Sequence, residues 1–125
     1  MGRIKKYIDI GKDTYWTLFD TGARNTYITP KVVSKLPSFD LSEPNPVSLW
    51  DKVHSVVRYS NLDCKVEGYN VLTHAQVLDE IGIDEDNHKI EVLIDALAIQ
   101  KWRIRFNPEA EELDINHYPK KFVEF

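Results

Sequence analysis

A stretch in the first quarter of the chain, WTLFDTGARNTYI at residues 16–28, constrains the fold most strongly. Hydrophobic and β-prone residues lead directly to Asp20, which is followed at once by Thr21 and Gly22. A strand that ends on a carboxylate can simply enter a turn, where Asp and Gly are favoured for backbone reasons. It can also present that carboxylate for chemistry, and the rest of the chain must decide between these interpretations.

The composition is that of an ordinary soluble globular protein. Of its 125 residues, 42% are hydrophobic and 29% are charged. A chain of this length can bury one hydrophobic core but is too short for two. We therefore expect one domain over residues 1–125. Acidic residues number 20 and basic residues 16, and the basic ones form no dense run, which argues against nucleic acid as a partner.

Several kinds of site and location are not indicated by the sequence. Cys64 is the single cysteine, so an intrachain disulfide is impossible. The histidines show no metal-ligand spacing, and we expect neither a metal nor another cofactor. No apolar run approaches the roughly 20 residues of a membrane helix, and the N-terminus has no apolar signal core. We expect a cytoplasmic protein without a membrane partner.

Alternating hydrophobic residues predict an architecture built mostly from β-strands. A polar turn at GKDT joins the first two strands in a hairpin, whereas residues 47–59 fit either a second hairpin or a helix. The run 65–81, marked by Gly68, is expected to be one bent strand or two successive strands. The strands are predicted over residues 3–10, 15–19, 26–29, 47–50, 53–59, 65–81 and 90–94.

Helices are predicted at only two places. Pro30 suits the first turn of a brief helix over residues 30–36, and residues 95–102 change to helical spacing with Asp95 as a plausible N-cap. A final hairpin is predicted over residues 103–115. Together these elements predict a mostly β fold, a closed or barrel-like sheet with one or two short helices. The tail 117–125 is expected to pack on the body or on a partner subunit through Phe122, Val123 and Phe125.

The flanks of the Asp-Thr-Gly triplet carry a specific resemblance. The apolar pair Leu18-Phe19 precedes Asp-Thr-Gly-Ala, and two variable residues separate that segment from Thr26 and the apolar pair Tyr27-Ile28. This arrangement resembles the active-site segment of the retroviral-type (retropepsin-like) aspartic proteases, in particular their small cellular members in microbes. The resemblance implies a closed β-barrel and an endopeptidase that acts on peptides or proteins.

The resemblance extends from residue 3 to about residue 115. The segment VSLWDKVHSV (47–56) stands where the family has its flap hairpin, and residues 91–108 follow the family's order of apolar strand, helix and closing strand. Two positions depart from the family pattern. Asp95 stands where the family places Gly, and the proposed flap tip, Trp50-Asp51-Lys52, lacks the glycines that usually make flaps mobile.

The resemblance also implies roles for particular residues. Asp20 would be the catalytic carboxylate, the Thr21 hydroxyl would bond to the backbone of the opposite catalytic loop, and Gly22 would let the loop turn tightly. The implied substrate-binding residues are Ala23, Arg24, Trp50, Asp51 and Leu93.

The chemistry of such a site needs one more carboxylate than the motif supplies. Peptide hydrolysis without a metal needs a base and an acid, and two close carboxylates provide both because only one ionises easily. Asp95 lacks the Thr-Gly that shapes the loop, so we expect a homodimer that contributes Asp20 from each chain. A retropepsin fold without proteolysis, serving in dimerisation or peptide binding, is the alternative.

Overall fold

The first two strands form a hairpin that carries the Asp-Thr-Gly motif at its end. In the computed structural model, which describes residues 2–122, β1 (Arg3–Ile10) and β2 (Asp13–Asp20) pair antiparallel along their whole length. The three isoleucines of β1 are buried, and so is the last half of β2. The register places Arg3 directly opposite Asp20.

The rest of the main sheet is assembled from strands that are distant in sequence. β2 pairs in parallel with β9 (Val92–Ile94), and β9 pairs antiparallel with β3 (Thr26–Ile28). β3 in turn pairs in parallel with β6 (Tyr69–Val77). With β5 (Lys52–Val66) and β4 (Ser38–Leu49), the strand order is β1-β2-β9-β3-β6-β5-β4. Every residue of β3 and β9 is buried, so these two short strands run through the core.

The sheet curves back on itself. Asp9 of β1 pairs with Lys65 of β5, in addition to the neighbours that these strands have in the sheet order. This pairing agrees with the predicted closed sheet. The mostly β class is confirmed, and the two predicted helices are present as α1 (Pro30–Val33) and α2 (Ala96–Lys101).

Two small hairpins lie outside the main sheet. β7 (Gly82–Ile83) pairs with β8 (Lys89–Ile90), and β10 (Arg105–Asn107) pairs with β11 (Glu112–Asp114). The second hairpin was predicted from residues 103–115. Within residues 2–122, no helix combines the length and apolar character needed to cross a membrane.

The buried apolar side chains form two groups. The larger group includes residues of both helices and of the inner strands, and the smaller group connects the β4–β5 hairpin to β2 and β9. The second group therefore holds the predicted flap hairpin against the strand that ends in Asp20. Its members are Leu18, Tyr27, Val47, Val56, Leu78, Ile81, Ile90 and Leu93.

The structure resolves the alternatives that the sequence left open. Residues 47–59 belong to the β4–β5 hairpin, so the helical interpretation is wrong. Two successive strands are the correct alternative for residues 65–81, because a turn at Glu67-Gly68, where φ is 51° and 84°, reverses the chain between β5 and β6. The predicted strand 90–94 is interrupted at Glu91, where pairing with β7 ends and pairing with β2 begins.

The described part of the C-terminal tail lies against the main body. The Tyr118 ring stacks on Trp102 with centroids 5.6 Å apart, and the Phe122 ring meets the edge of Trp102 at 5.3 Å. The Tyr118 hydroxyl also donates to the Asn70 carbonyl at 2.5 Å. Phe122 nevertheless remains 48% exposed. The expected burial of Val123 and Phe125 lies outside the described residues.

Candidate active site

The Asp20 carboxylate is held from two directions at the end of β2. The backbone N–H of Gly22 donates to Oδ1 at 2.8 Å, and the Arg3 Nε lies 3.3 Å from Oδ2. The preceding Phe19 is fully buried, and Asp20 itself is 6% exposed. A rigid strand and a tight turn therefore fix the orientation of this carboxylate.

Thr21 lies at the surface beside Asp20 and is bonded to the N-terminal segment. Its hydroxyl accepts from the Gly2 N–H at 2.6 Å and donates to the Gly2 carbonyl at 3.2 Å. The Thr21 N–H donates to the same carbonyl at 3.0 Å. In the single chain, the hydroxyl that the resemblance assigns to a partner loop thus bonds within its own subunit.

Helix α2 supports the loop that follows Asp20. The Ala23 N–H donates to the Asp20 carbonyl at 3.1 Å, which closes the turn, and the Ala96 N–H donates to the Ala23 carbonyl at 3.0 Å. The Asp95 N–H donates to the buried hydroxyl of Thr26 at 3.2 Å. The start of α2 and the candidate catalytic loop therefore form one hydrogen-bonded unit.

Asp95 is the N-cap of α2, as predicted. Its Oδ1 accepts from the Ala98 N–H at 2.8 Å, and the residue is 6% exposed. Burial raises the pKa of the Asp95 carboxyl, and the hydrogen bonds from Ala98 and Thr26 oppose this shift. The carboxylate is directed to the helix backbone, and the rise of its pKa comes from desolvation rather than from a neighbouring acid.

A groove of about 610 Å³ opens beside Asp20. One wall is the loop after β2, and the opposite wall is the end of β4 up to the hairpin turn. This arrangement leaves a polar floor at Asp20 between partly apolar walls. The lining residues are Arg3, Asp20, Gly22, Ala23, Arg24, Asn25, Tyr27, Asn45, Pro46, Val47, Ser48, Leu49 and Trp50.

The turn of the β4–β5 hairpin is formed by Trp50 and Asp51, both in left-handed backbone conformations with φ of 48° and 65°. A two-residue turn of this kind normally contains Gly or Asn. The Trp50 ring lies on Gly82, where an added Cβ would be only 2.8 Å from Cζ3. The Lys52 ammonium also pairs with Glu80, so the turn has two attachments to the segment 80–82.

A second groove of about 480 Å³ adjoins the first. Arg3 and Trp50 line both grooves and stand between them. The second groove has an apolar part at Leu18, Ile83 and Ile90 and a charged part. Besides Arg3, the charged residues are Lys5, Asp84, Glu85 and Glu111.

The structure brings most of the residues expected at the site together. Asp20, Gly22, Ala23, Arg24 and Trp50 all line the larger groove, whereas Thr21, between two of them in sequence, does not. Two residues expected to bind substrate are placed elsewhere.

Asp51 and Leu93 are the two expected substrate-binding residues that do not line the groove. Asp51 is exposed in the hairpin turn, and the groove wall ends at Trp50. Leu93 is fully buried between β2 and β3 in the smaller core group. In this chain Leu93 supports the strand behind Asp20 and does not reach the groove.

Arg3 is the site residue that the sequence reasoning missed. Its signal was present, because a hairpin that turns between Ile10 and Asp13 pairs residue 3 with residue 20 by simple counting.

Neither Cys64 nor a group of metal-ligating side chains forms a second candidate site in the described part of the chain. Burial raises the pKa of the Cys64 thiol to about 12, so this thiol is not nucleophilic at neutral pH. Among the described residues, no three metal-ligating side chains are grouped.

An Asp-Thr-Gly loop at the end of a hairpin, facing a groove beneath a second hairpin, defines a retropepsin-like fold. Solved structures that share it include the following two. The retroviral protease-like domain of Ddi1 from Leishmania major has a TM-score of 0.63 at 10% identity, covering 94% of this chain and 90% of that one. The foamy viral protease-reverse transcriptase, in complex with an RNA/DNA hybrid, has a TM-score of 0.53 at 17% identity.

The second match covers 80% of this chain but only 12% of the viral chain. The present chain therefore corresponds to a small part of that protein. No family model matches the sequence, and no curated protein matches it. At these identities the two structures show the fold alone.

Proposed function

We propose that this chain is an aspartic endopeptidase that acts as a homodimer. The observation that carries the proposal is the Asp20 carboxylate, which is oriented by the Gly22 N–H at 2.8 Å and faces a groove of about 610 Å³. A buried, oriented carboxylate in a partly apolar groove is suited to acid–base chemistry. The homodimer follows from the need for a second such carboxylate.

In the proposed dimer, Asp20 of each chain meets its copy across a two-fold axis. The two carboxyl groups share one proton because two close negative charges repel each other strongly. The ionised member removes a proton from the attacking water, and the protonated member donates to the carbonyl oxygen of the scissile bond. The tetrahedral intermediate then collapses: its C–N bond breaks, and the leaving amine takes up a proton.

The groove supports an extended peptide as substrate. The backbone of residues 45–50 forms one wall, and a peptide lying along it can add as a strand. Tyr27, Val47 and Leu49 offer apolar surface near Asp20, and Trp50 closes one end. We therefore propose that the preferred peptide substrates have large apolar side chains on both sides of the cleaved bond.

A second candidate function is peptide binding without cleavage. It is favoured by the Arg3 guanidinium, which lies 3.3 Å from Asp20 Oδ2 and would compete with a water for that oxygen. Such a module would use the same groove and the same dimer. The two functions differ only in whether bound peptides are hydrolysed.

The test is digestion of a peptide library, read by mass spectrometry, with the wild type and the Asp20→Asn variant. We expect the wild type to cleave and the variant to lose at least about 100-fold in rate, since the amide cannot act as the base. Asp63→Asn, at an exposed position of β5, is the matched control and should cleave normally. Peptide binding by the wild type without cleavage products would favour the second candidate. Equal cleavage by the wild type and Asp20→Asn would contradict both candidates, because the protein would then be a protease that does not use Asp20.

A further inference from the structure

The proposed dimer requires the two catalytic loops to meet. If Asp20 of one chain lies within a few ångströms of its copy, the neighbouring Thr21 must also lie at the two-fold axis. Thr21 is exposed in the single chain, which is consistent with an interface position. Its polar groups are nevertheless already bonded within the chain.

Residues 2 and 3 occupy the groups that the partner loop would approach. Gly2 makes three hydrogen bonds to Thr21, at 2.6, 3.0 and 3.2 Å, and these use both the hydroxyl and the backbone N–H. The Nε of Arg3 lies 3.3 Å from Oδ2 of Asp20. Four contacts from two adjacent residues thus cover the Asp-Thr pair.

The position of Gly2 depends on the lack of a side chain. An added Cβ would lie 2.7 Å from Cδ2 of the Phe106 ring and 3.8 Å from the Thr21 hydroxyl. The N-terminal segment therefore passes through a narrow space between the catalytic loop and the β10–β11 hairpin. Next to it, Arg3 lies directly opposite Asp20 in the β1–β2 pairing.

We propose that residues 2 and 3 form a clasp that competes with a second copy of the chain for the catalytic loop. The clasp is an autoinhibitory contact: a subunit whose loop is held by its own Gly2 and Arg3 cannot present Thr21 and Asp20 to a partner. This inference rests on the proposed homodimeric function and adds a control on its assembly. Opening the clasp precedes assembly of the dyad in each subunit.

The clasp is weak enough to disfavour dimer formation without preventing it. The Arg3 side chain is 56% exposed, so its ion pair is screened by water and salt. Losing an exposed pair shifts an equilibrium by up to about fivefold. Because two clasps open for each dimer, removing both pairs shifts the dimer dissociation constant by up to about 25-fold.

The experiment measures the dimer dissociation constant by sedimentation of the purified chain at several salt concentrations. The variants are Arg3→Ala, which removes the ion pair, and Arg3→Lys, which can restore it. Lys12→Ala, at an exposed position in the turn at the other end of the same hairpin, is the matched control. Cleavage of a peptide substrate at dilute enzyme is recorded in parallel.

The clasp predicts that Arg3→Ala dimerises several-fold more tightly than the wild type and is more active when dilute. Arg3→Lys should lie between them, and Lys12→Ala should match the wild type. Added salt should tighten the wild-type dimer more than the Arg3→Ala dimer, because only the wild type has the pair to screen. If the wild type dimerises and Arg3→Ala dimerises equally or less well, the clasp is wrong and the proposed function stands. If no variant dimerises, both are wrong.

Discussion

Asp20 and Asp95 are equally buried, at 6% exposed each, yet their partners differ. Asp20 accepts from Gly22 and faces the Arg3 guanidinium in a groove. Asp95 turns to the backbone of α2, and burial raises its pKa. The side-chain environment thus separates a carboxylate available for chemistry from one that serves the helix.

The raised pKa of Asp95 predicts how stability depends on pH. The folded protein holds the Asp95 proton more tightly than the unfolded chain does, because burial disfavours the charge. Its contribution is fully present below the ordinary Asp pKa and is lost as the pH rises through the folded value. Asp95→Asn retains a cap without the charge. Thermal unfolding should therefore show this variant gaining stability relative to the wild type between about pH 3 and pH 7.

Asp95→Ala is the control for the cap itself. It removes the acceptor for the Ala98 N–H and should be less stable than Asp95→Asn by about 1 kcal/mol at every pH, because neither variant titrates at this position. A stability difference between Asp95→Asn and the wild type that does not change with pH would contradict the assigned burial effect. A gain for the wild type as the pH rises would contradict its sign.

For single residues, the sequence was sufficient to predict the Asp95 cap, whereas Leu93 was wrongly expected to line the groove. The Asp95 cap could be predicted because Asp before a helical run has a local cause. Leu93 could not be placed, since Val92, Leu93 and Ile94 are all fully buried and a continuous apolar run carries no period that distinguishes two faces. Arg3 required the hairpin register rather than a local pattern.

The β4–β5 hairpin is the element whose turn departs most from expectation. Trp50 and Asp51 adopt the left-handed conformations that glycines would provide without strain. The Trp50 ring lies on Gly82, and Lys52 pairs with Glu80. We interpret the hairpin as a flap whose tip is held by a side chain instead of being loosened by glycine.

Gly82→Ala should separate the tip from its support. The new Cβ would meet the Trp50 ring at 2.8 Å, and a φ of 152° is unfavourable for alanine. We expect a loss of about 2 kcal/mol or more in the free energy of unfolding, from strain and overpacking together. Chemical denaturation measures this loss.

A double-mutant cycle isolates the contact with Trp50 from the backbone strain. In a Trp50→Ala background the ring is absent, so Gly82→Ala should cost about 1 kcal/mol less than in the wild type. Gly68→Ala, where φ is 84° and an added Cβ would meet nothing within 4 Å, reports backbone strain alone. Equal costs of Gly82→Ala in both backgrounds would show that Trp50 does not rest on Gly82.

Most elements could be predicted from the sequence, whereas their pairing could not. Alternation and turn residues located both helices and most strands, because these signals are local; most of β4 and the strand β7 were missed. The parallel pairing of β2 with β9, more than 70 residues apart, depends on how the whole core closes. The length of β5, 15 residues to Val66, was also missed, since the positive φ of Glu67 has no signal in its residue type.

On the scale of the whole molecule, one chain supplies half of the proposed site. The sequence has one Asp-Thr-Gly, and residues 2–122 place one groove beside it, walled by the β4–β5 hairpin. The second buried aspartate in an apolar strand region is engaged as a helix cap. The proposed acid–base pair would therefore need Asp20 from a second chain, and we propose that activity belongs to the dimer.

The most direct test of that claim is activity in mixtures of wild type and Asp20→Asn at constant total concentration, after subunits have exchanged. If each active site needs Asp20 from two chains, activity falls as the square of the wild-type fraction, to about one quarter in an equal mixture. Asp63→Asn should cause no fall when mixed in the same way. A linear fall, to about one half in the equal mixture, would show that a single Asp20 suffices and would contradict the dimeric dyad.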